Sequence, residues 1–228
     1  MNSDLTVIAH IKSGFKTKFG IPRQSGLAES TKAQIVFVKP FNNPDFIRGL
    51  EGYSHIWLLW QFSECVSEGY TPTVRPPRLG GNKRMGVFAT RSPFRPNSIG
   101  LSSVKIERID YTPSGPVITV LGADLMDGTP IFDIKPYLPF TDSHPEATFG
   151  FSQEKFNNNL QVEFSKTARE LLPQHLILQL ENILSQDPRP SYQDDTERVY
   201  GMEFYEYEIK FTVEDTLLNV IEIKKAVR

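Results

Sequence analysis

The stretch LSSVKIERIDYTPSGPVITVLG, Leu101 to Gly122, holds two β-rich runs, Leu101 to Ile109 and Val117 to Gly122, parted by Pro and Gly. The same texture extends outward over the first 140 residues. Runs at Leu5 to Ile11, Gln34 to Lys39, His55 to Phe62, Met85 to Thr90 and Ile131 to Lys135 bring the total to seven, and in the first of them Leu5, Val7 and Ala9 alternate with Thr6 and Ile8. Strands at this density, with no regular helices between them, predict a mainly antiparallel sheet or closed barrel rather than βαβ units. A short helix is expected only around Pro44 to Leu50.

Near Pro145 to Gly150 the texture changes, and a helical period begins after it. The expected fold is mainly β: an antiparallel β-barrel N-terminal domain over residues 1–145 and a small α+β C-terminal domain over residues 146–228. Ser165 is placed to cap a helix that ends before Pro173, and Leu176, Leu180, Ile183 and Leu184 line one face of a second. Beyond the Asp187 to Pro190 break, Tyr200 to Val213 and Asn219 to Ala226 read as a hairpin turning near Glu214 to Leu218.

The 228 residues, 39% hydrophobic and 23% charged, suit a packed core in one larger and one smaller domain and argue against disorder. Apolar runs such as Ile56 to Trp60 fall far short of the about 20 residues of a membrane helix. Asp4, with few early basic residues, argues against a signal peptide, so a cytoplasmic protein is expected. Cys65 is the only cysteine, which excludes an intramolecular disulfide and a zinc knuckle. The four histidines are scattered without metal-ligand spacing, so no metal is expected.

A net charge of -2 and a pI near 6.1 hide an asymmetry. Between Pro72 and Arg108 stand Arg75, Arg78, Lys83, Arg84, Arg91, Arg95, Lys105 and Arg108 against the single acid Glu107, whereas Asp142 to Glu197 is acidic. Two solvated faces, or a surface for an anionic ligand or RNA, are both consistent with this. Leu79 to Arg84 is glycine-rich but lacks phosphate-loop spacing, and no GxGxxG follows a first strand.

Three loops carry chemistry. In Gly86 to Ser102, prolines after Ser92 and Arg95 stiffen a connection that presents Arg91 and Arg95 to a carboxylate or phosphate, with Asn97 to read a polar edge or shape the turn. Asp124 to Pro130 offers acids suited to ribose hydroxyls, a cation or a proton, though Asp-Gly is also a common turn. Pro22 to Gly26 is a polar loop after the first strand.

The strings GVFATRSPFRPN (Gly86 to Asn97), IPRQ (Ile21 to Gln24) and DGTPIFDIKPY (Asp127 to Tyr137) resemble the TsaA-like family, and within it the bacterial TrmO tRNA methyltransferases. The likeness continues at DPRPSYQ (Asp187 to Gln193) and YGM (Tyr200 to Met202), so it covers most of the chain. It implies a homodimeric β-barrel enzyme that uses S-adenosylmethionine to methylate N6 of N6-threonylcarbamoyladenosine at position 37 in the anticodon loop of threonine tRNA.

Carried onto matching positions, the cofactor site would take Pro22, Arg23, Gln24, Ser25, Gly26, Arg91, Leu101, Asp124, Leu125, Met126 and Asp127, with Phe62 and Ser63 as further candidates. Asp133, Lys135 and Tyr137 are candidates for orienting the acceptor or handling its proton, Asp133 and Lys135 being equally readable as a same-face strand pair. Single-stranded RNA is recognised by stacking and phosphate contacts. Arg75, Arg78, Lys83, Arg84 and Arg95 suit the phosphates, Phe94 a base, and Asn97, Arg189 and Tyr192 complete the expected RNA contacts. A noncatalytic RNA-binding barrel, or a methyltransferase acting on another acceptor, remains the alternative.

Overall fold

Period-2 alternation decides the first half of the chain. The strands there are β1 (Ala9–Ser13), β2 (Lys32–Phe37), β3 (His55–Gln61), β4 (Thr73–Val74), β5 (Met85–Gly86), β6 (Ile99–Thr112), β7 (Gly115–Leu121) and β8 (Pro130–Pro136), of which β4 and β5 are two residues each and too short to alternate. The structure is a computed structural model that describes residues 5–76, 79, 82–152, 159–189 and 195–226. Strands β1-β2-β7-β6-β3-β8 form a closed barrel, every pair in it antiparallel. Ile11, Ile35, Ile56, Leu58, Ile118, Val120 and Ile131 fill the interior, because each sits at an inward position of its strand.

Six of the seven expected runs become barrel strands, with shifted ends. The first begins at Ala9, where it meets Phe37, leaving Leu5 more than half exposed. The run Met85 to Thr90 is the exception. Only Met85 and Gly86 pair, with Thr73 and Val74, before a 3-10 turn at Val87–Ala89 takes the chain away. The Thr90 N–H and hydroxyl both donate to the Val87 carbonyl, which closes that turn. The helix expected near Pro44 is two 3-10 turns, Pro44–Ile47 and Leu50–Gly52.

A second sheet, ordered β10-β11-β12-β9, is built from β9 (Gln161–Phe164), β10 (Tyr200–Phe204), β11 (Tyr207–Glu214) and β12 (Leu217–Lys225). The expected hairpin is therefore three strands, joined by β9, which lies parallel to β12. The missed turn is at Tyr205, a residue with no turn preference that takes φ 53°. Tertiary contacts hold it there: its N–H donates to the Gly14 carbonyl at 2.7 Å and its hydroxyl to the Lys32 carbonyl at 3.2 Å. A Cβ on Gly14 would lie 2.6–2.7 Å from the rings of Phe204 and Tyr205, so glycine is required for this approach.

After α1 (Pro139–Asp142), helices α2 (Lys166–Leu171) and α3 (Gln174–Leu184) cover this sheet. Ser165 caps α2 as expected, its hydroxyl accepting from the Ala168 N–H at 3.2 Å. Leu176, Leu180, Ile183 and Leu184 are all buried in the core with Ile209, Phe211 and Val213. Phe15 and Ala28, from the β1–β2 connection, belong to this second core. Further ties come from α3, where Gln179 Oε1 accepts from Lys32 N–H and Asn182 Oδ1 from Ser30 N–H. The same connection carries Pro22 to Gly26, so the second sheet is the backing on which a wall of the candidate site rests.

Candidate functional site

A cavity of about 550 Å3 lies where the β1–β2 connection, the ends of β3 and β6 and the loop before β6 converge. β6 shows why it forms there. Its alternation puts Gly100, Ser102 and Val104 inside and Leu101 outside, so a polar hydroxyl enters the barrel while an apolar side chain, 55% exposed, faces the cavity. On β3, Trp57 and Gln61 point outward and Trp60 inward, and all three reach the cavity wall. Gly100 has no Cβ because the Trp60 ring occupies the space, 2.3 Å from where one would stand.

Of the expected cofactor residues, Pro22, Arg23, Gln24, Phe62, Ser63, Arg91, Leu101, Asp124 and Met126 line this cavity. Arg91 donates to Gln24 Oε1, joining two of the sequence loops across its floor. Arg23 donates to the carbonyls of Asp187 and Arg189 at 3.4 and 3.1 Å, which ties the loop to the tail. The Ser25 N–H reaches the Asp124 carboxylate, and the Gly26 N–H donates to the Gly122 carbonyl at 2.8 Å.

Four expected residues, Ser25, Gly26, Leu125 and Asp127, are not in the cavity lining. Leu125 is fully buried in the barrel core, with its carbonyl accepting from Ser13 Oγ. Asp127 does not line the cavity: its carboxylate accepts from the Ser13 N–H at 2.9 Å and from Lys16 Nζ at 2.6 Å, where it fastens the exit of β1. Both sit in the string that contains Asp124, but the turn directs successive side chains to different places.

Asp124 is the chemically distinctive group. Ser102 Oγ donates to its Oδ1 at 2.6 Å, and Trp60 Nε1 donates to Ser102 Oγ at 3.0 Å. Burial pushes the carboxyl above its ordinary range, while the Ser102 hydrogen bond, the Asp124 and Ser25 N–H groups and the nearby Arg91 charge pull it back. The cavity thus offers a desolvated carboxylate, a guanidinium and the rings of Trp57, Trp60 and Phe62. This set suits a mid-sized ligand with a cationic or hydroxyl group, a carboxylate and a flat ring.

Asp133 and Lys135 form an ion pair of 2.8 Å on β8, and neither they nor Tyr137 line the cavity. They are nonetheless adjacent to it: Lys135 is paired across the strands with cavity-lining Trp57, and Tyr137 lies 5.5 Å from the Trp57 ring. Trp57 Nε1 also donates to Asp142 Oδ2 at 2.9 Å, and the bond from the Leu138 N–H, with this one from Trp57, holds the Asp142 carboxyl below its ordinary range.

The expected RNA contacts divide. Arg75, Lys83, Arg84 and Asn97 are exposed, Arg84 donating to Thr73 Oγ1 at 3.1 Å. Arg95 lines the cavity and donates to the carbonyls of Val87 and Thr90 at 3.1 and 2.7 Å, so it stitches its own loop together. Phe94 is half-buried, whereas Phe88, which sequence reading passed over, is 77% exposed with Arg95 over its ring at 5.6 Å. Arg189 is bound to the Asp187 carboxylate by backbone and guanidinium bonds and is mostly buried. Arg78 and Tyr192 lie outside the described residues. Among the described residues no group of three His, Cys, Asp or Glu side chains could hold a metal ion, and no helix is long and apolar enough to cross a membrane.

Sequence reading also missed Trp57, Trp60, Gly100 and Ser102. Leu101 and Ser102 carried a legible signal, because strand alternation places the leucine outside and the serine inside, the reverse of an ordinary barrel strand.

Comparison with known proteins identifies the family. Residues 10–143 match the family model described as the tRNA-methyltransferase O N-terminal domain, and residues 157–226 match that of the TrmO C-terminal domain. A tRNA (adenine(37)-N6)-methyltransferase of Escherichia coli is 40% identical over 226 residues, 95% of this chain and 96% of the relative. A putative S-adenosylmethionine-dependent methyltransferase of Pseudomonas aeruginosa is 37% identical over 92% of both chains. The crystal structure of TrmO from Pseudomonas aeruginosa superposes with a TM-score of 0.79 at 32% identity, covering 98% of this chain and 100% of that one.

Proposed function

This chain belongs to the tRNA-methyltransferase O family, and from that membership we propose that it is an S-adenosylmethionine-dependent tRNA methyltransferase acting on N6 of the adenosine at position 37. Its finer substrate is N6-threonylcarbamoyladenosine in the anticodon loop of threonine tRNA, and it works in the cytoplasm as a homodimer. The observation that carries the reading is the meeting of Arg91 and Asp124, with the aromatic wall, in one cavity of ligand size.

The residues fit the cofactor on their own chemistry. A methionyl carboxylate suits the Arg91 fork, and an ammonium or ribose hydroxyl suits Asp124, whose desolvated charge gains most from a partner. The Trp60 and Phe62 rings, 4.3 Å apart and inclined at 59° to each other, offer an apolar aromatic wall. When bound, the cofactor supplies an electrophilic methyl group on a sulfonium centre.

The acceptor nitrogen is conjugated with the purine and a carbonyl, so it is a poor nucleophile and alignment matters. Asp133, Lys135 and Tyr137, beside Trp57, are the groups we assign to hold the acceptor base and receive or relay its proton. Exposed Arg75, Lys83 and Arg84 take phosphates, and Phe88 offers a stacking face. We assign methyl transfer to residues 1–145 and support of the cofactor loop to residues 146–228.

Calorimetric titration with S-adenosylmethionine, followed by methyl transfer to tRNA with and without the threonylcarbamoyl group, tests the reading. Wild type should bind saturably, and Arg91→Ala should weaken binding by about tenfold or more, the scale of a lost charge-assisted contact. Saturable RNA binding without cofactor binding would make the protein a noncatalytic RNA-binding barrel. Equal transfer to both tRNAs would overturn the finer substrate.

A further inference from the structure

The barrel interior is mostly apolar, and a polar group stands where β3, β6 and the β7–β8 turn meet. There Trp60 Nε1, Ser102 Oγ and Asp124 Oδ1 form a buried chain, with Ser102 1% and Trp60 6% exposed. The chain has a direction. An indole N–H can only donate, so Ser102 accepts from Trp60 and its single hydrogen is left for Asp124. The Ser102–Asp124 separation of 2.6 Å is short and falls within the range of a hydroxyl donating to a carboxylate oxygen.

We propose that Ser102 and Trp60 are positioning residues that hold Asp124 in its ionised form with its carboxylate turned to the cavity. The inference rests on the proposed cofactor reading for what Asp124 meets there, but the relay itself is a property of the free protein. Gly100 completes the device: the Trp60 ring occupies the place of its missing Cβ, which fixes the indole so that its N–H meets Ser102.

The relay opposes burial. Desolvation raises the Asp124 pKa, and the Ser102 hydrogen bond lowers it. Arg91 is the charge that acts on Asp124 from the facing loop, and Lys18, Arg23, Glu64 and Arg95 are the other charged groups lining the cavity. Losing Ser102 removes a lowering contribution, so Asp124 should titrate at a higher pH. Cofactor affinity would then begin to fall at a higher pH as the solution is acidified.

Two measurements on the full chain test this. Carboxyl-carbon NMR of Asp124 in the free protein should show its titration midpoint moving to higher pH in Ser102→Ala, and moving the same way by less in Trp60→Phe, which keeps most of the ring. Calorimetry with S-adenosylmethionine should show about tenfold weaker binding in Ser102→Ala at neutral pH, and no further loss when that change is added to Asp124→Asn. An unmoved midpoint, or an equal loss in the Asp124→Asn background, would overturn the relay. A moved midpoint in a protein that binds no S-adenosylmethionine would leave the relay standing and refute the cofactor reading.

Discussion

The barrel and the second sheet bury side chains by the same period-2 alternation, yet they put different atoms inside. In the second sheet Ile209, Phe211, Val213, Leu218 and Val220 face α2 and α3, while Lys210, Glu222 and Lys224 form ion pairs on the open face. In the barrel, one end exchanges apolar packing for Trp60, Ser102 and Asp124. An apolar interior gains from every buried methylene, whereas a buried carboxylate costs stability unless it is partnered. The sheet is organised for packing, and the barrel end gives up stability to present a charge. The β1–β2 connection links the two, with Phe15 and Ala28 in the second core and Pro22 to Gln24 in the cavity wall.

The largest effect tests whether the second sheet supports the cavity. Phe211 is fully buried, with Tyr200 5.5 Å and Phe19 6.4 Å away as ring partners. Phe211→Ala should cost about 3–5 kcal/mol in denaturant unfolding. S-adenosylmethionine affinity should fall with it, since Phe19 lies on the connection that carries Arg23. Unchanged affinity in a destabilised second sheet would break the link between the regions.

A smaller effect separates the two acids of one turn. Asp127→Ala removes the acceptor for Ser13 N–H and Lys16, and should cost about 1–3 kcal/mol of stability while cofactor affinity, measured on the folded fraction, stays near wild type. Loss of affinity with full stability would return Asp127 to the ligand.

The smallest effect is a gain. The folded-state pKa of Asp124 is raised, so its contribution to stability is lost as pH rises through the window above its unfolded value of about 4. Asp124→Asn should therefore raise Tm at pH 7 and lose that advantage near pH 3, where the wild-type carboxyl is protonated in both states. A lower Tm at pH 7 would mean that the charge is stabilising and that the contrast with the second sheet is wrong.

Much of the fold was readable because alternation is local. His55 to Phe62 and Leu101 to Ile109 declare strands from neighbouring residues, and Ser165 before a helical run declares a cap. Where tertiary contacts compete, local reading fails. Tyr205 turns the chain because Gly14 and Lys32 hold it, and Met85 to Thr90 leaves its strand at Val87. The cavity loops were legible from their polar and proline-rich character, but side-chain destinations within them were not: Arg95 turned to its own backbone, Phe88 faced solvent in place of Phe94, and Asp127 turned to Lys16.

The sequence by itself determined a β-barrel followed by an α+β unit, the three loops that supply a cavity, and the strings that mark the family. Only the tertiary structure decided that Trp60 meets Ser102 across 42 positions, Ser102 meets Asp124 across 22 and Arg91 meets Gln24 across 67. Strand identity follows from side chains two apart, whereas these meetings depend on which strands are neighbours and in what register. One residue of slip would turn Ser102 out of the barrel and Leu101 into it.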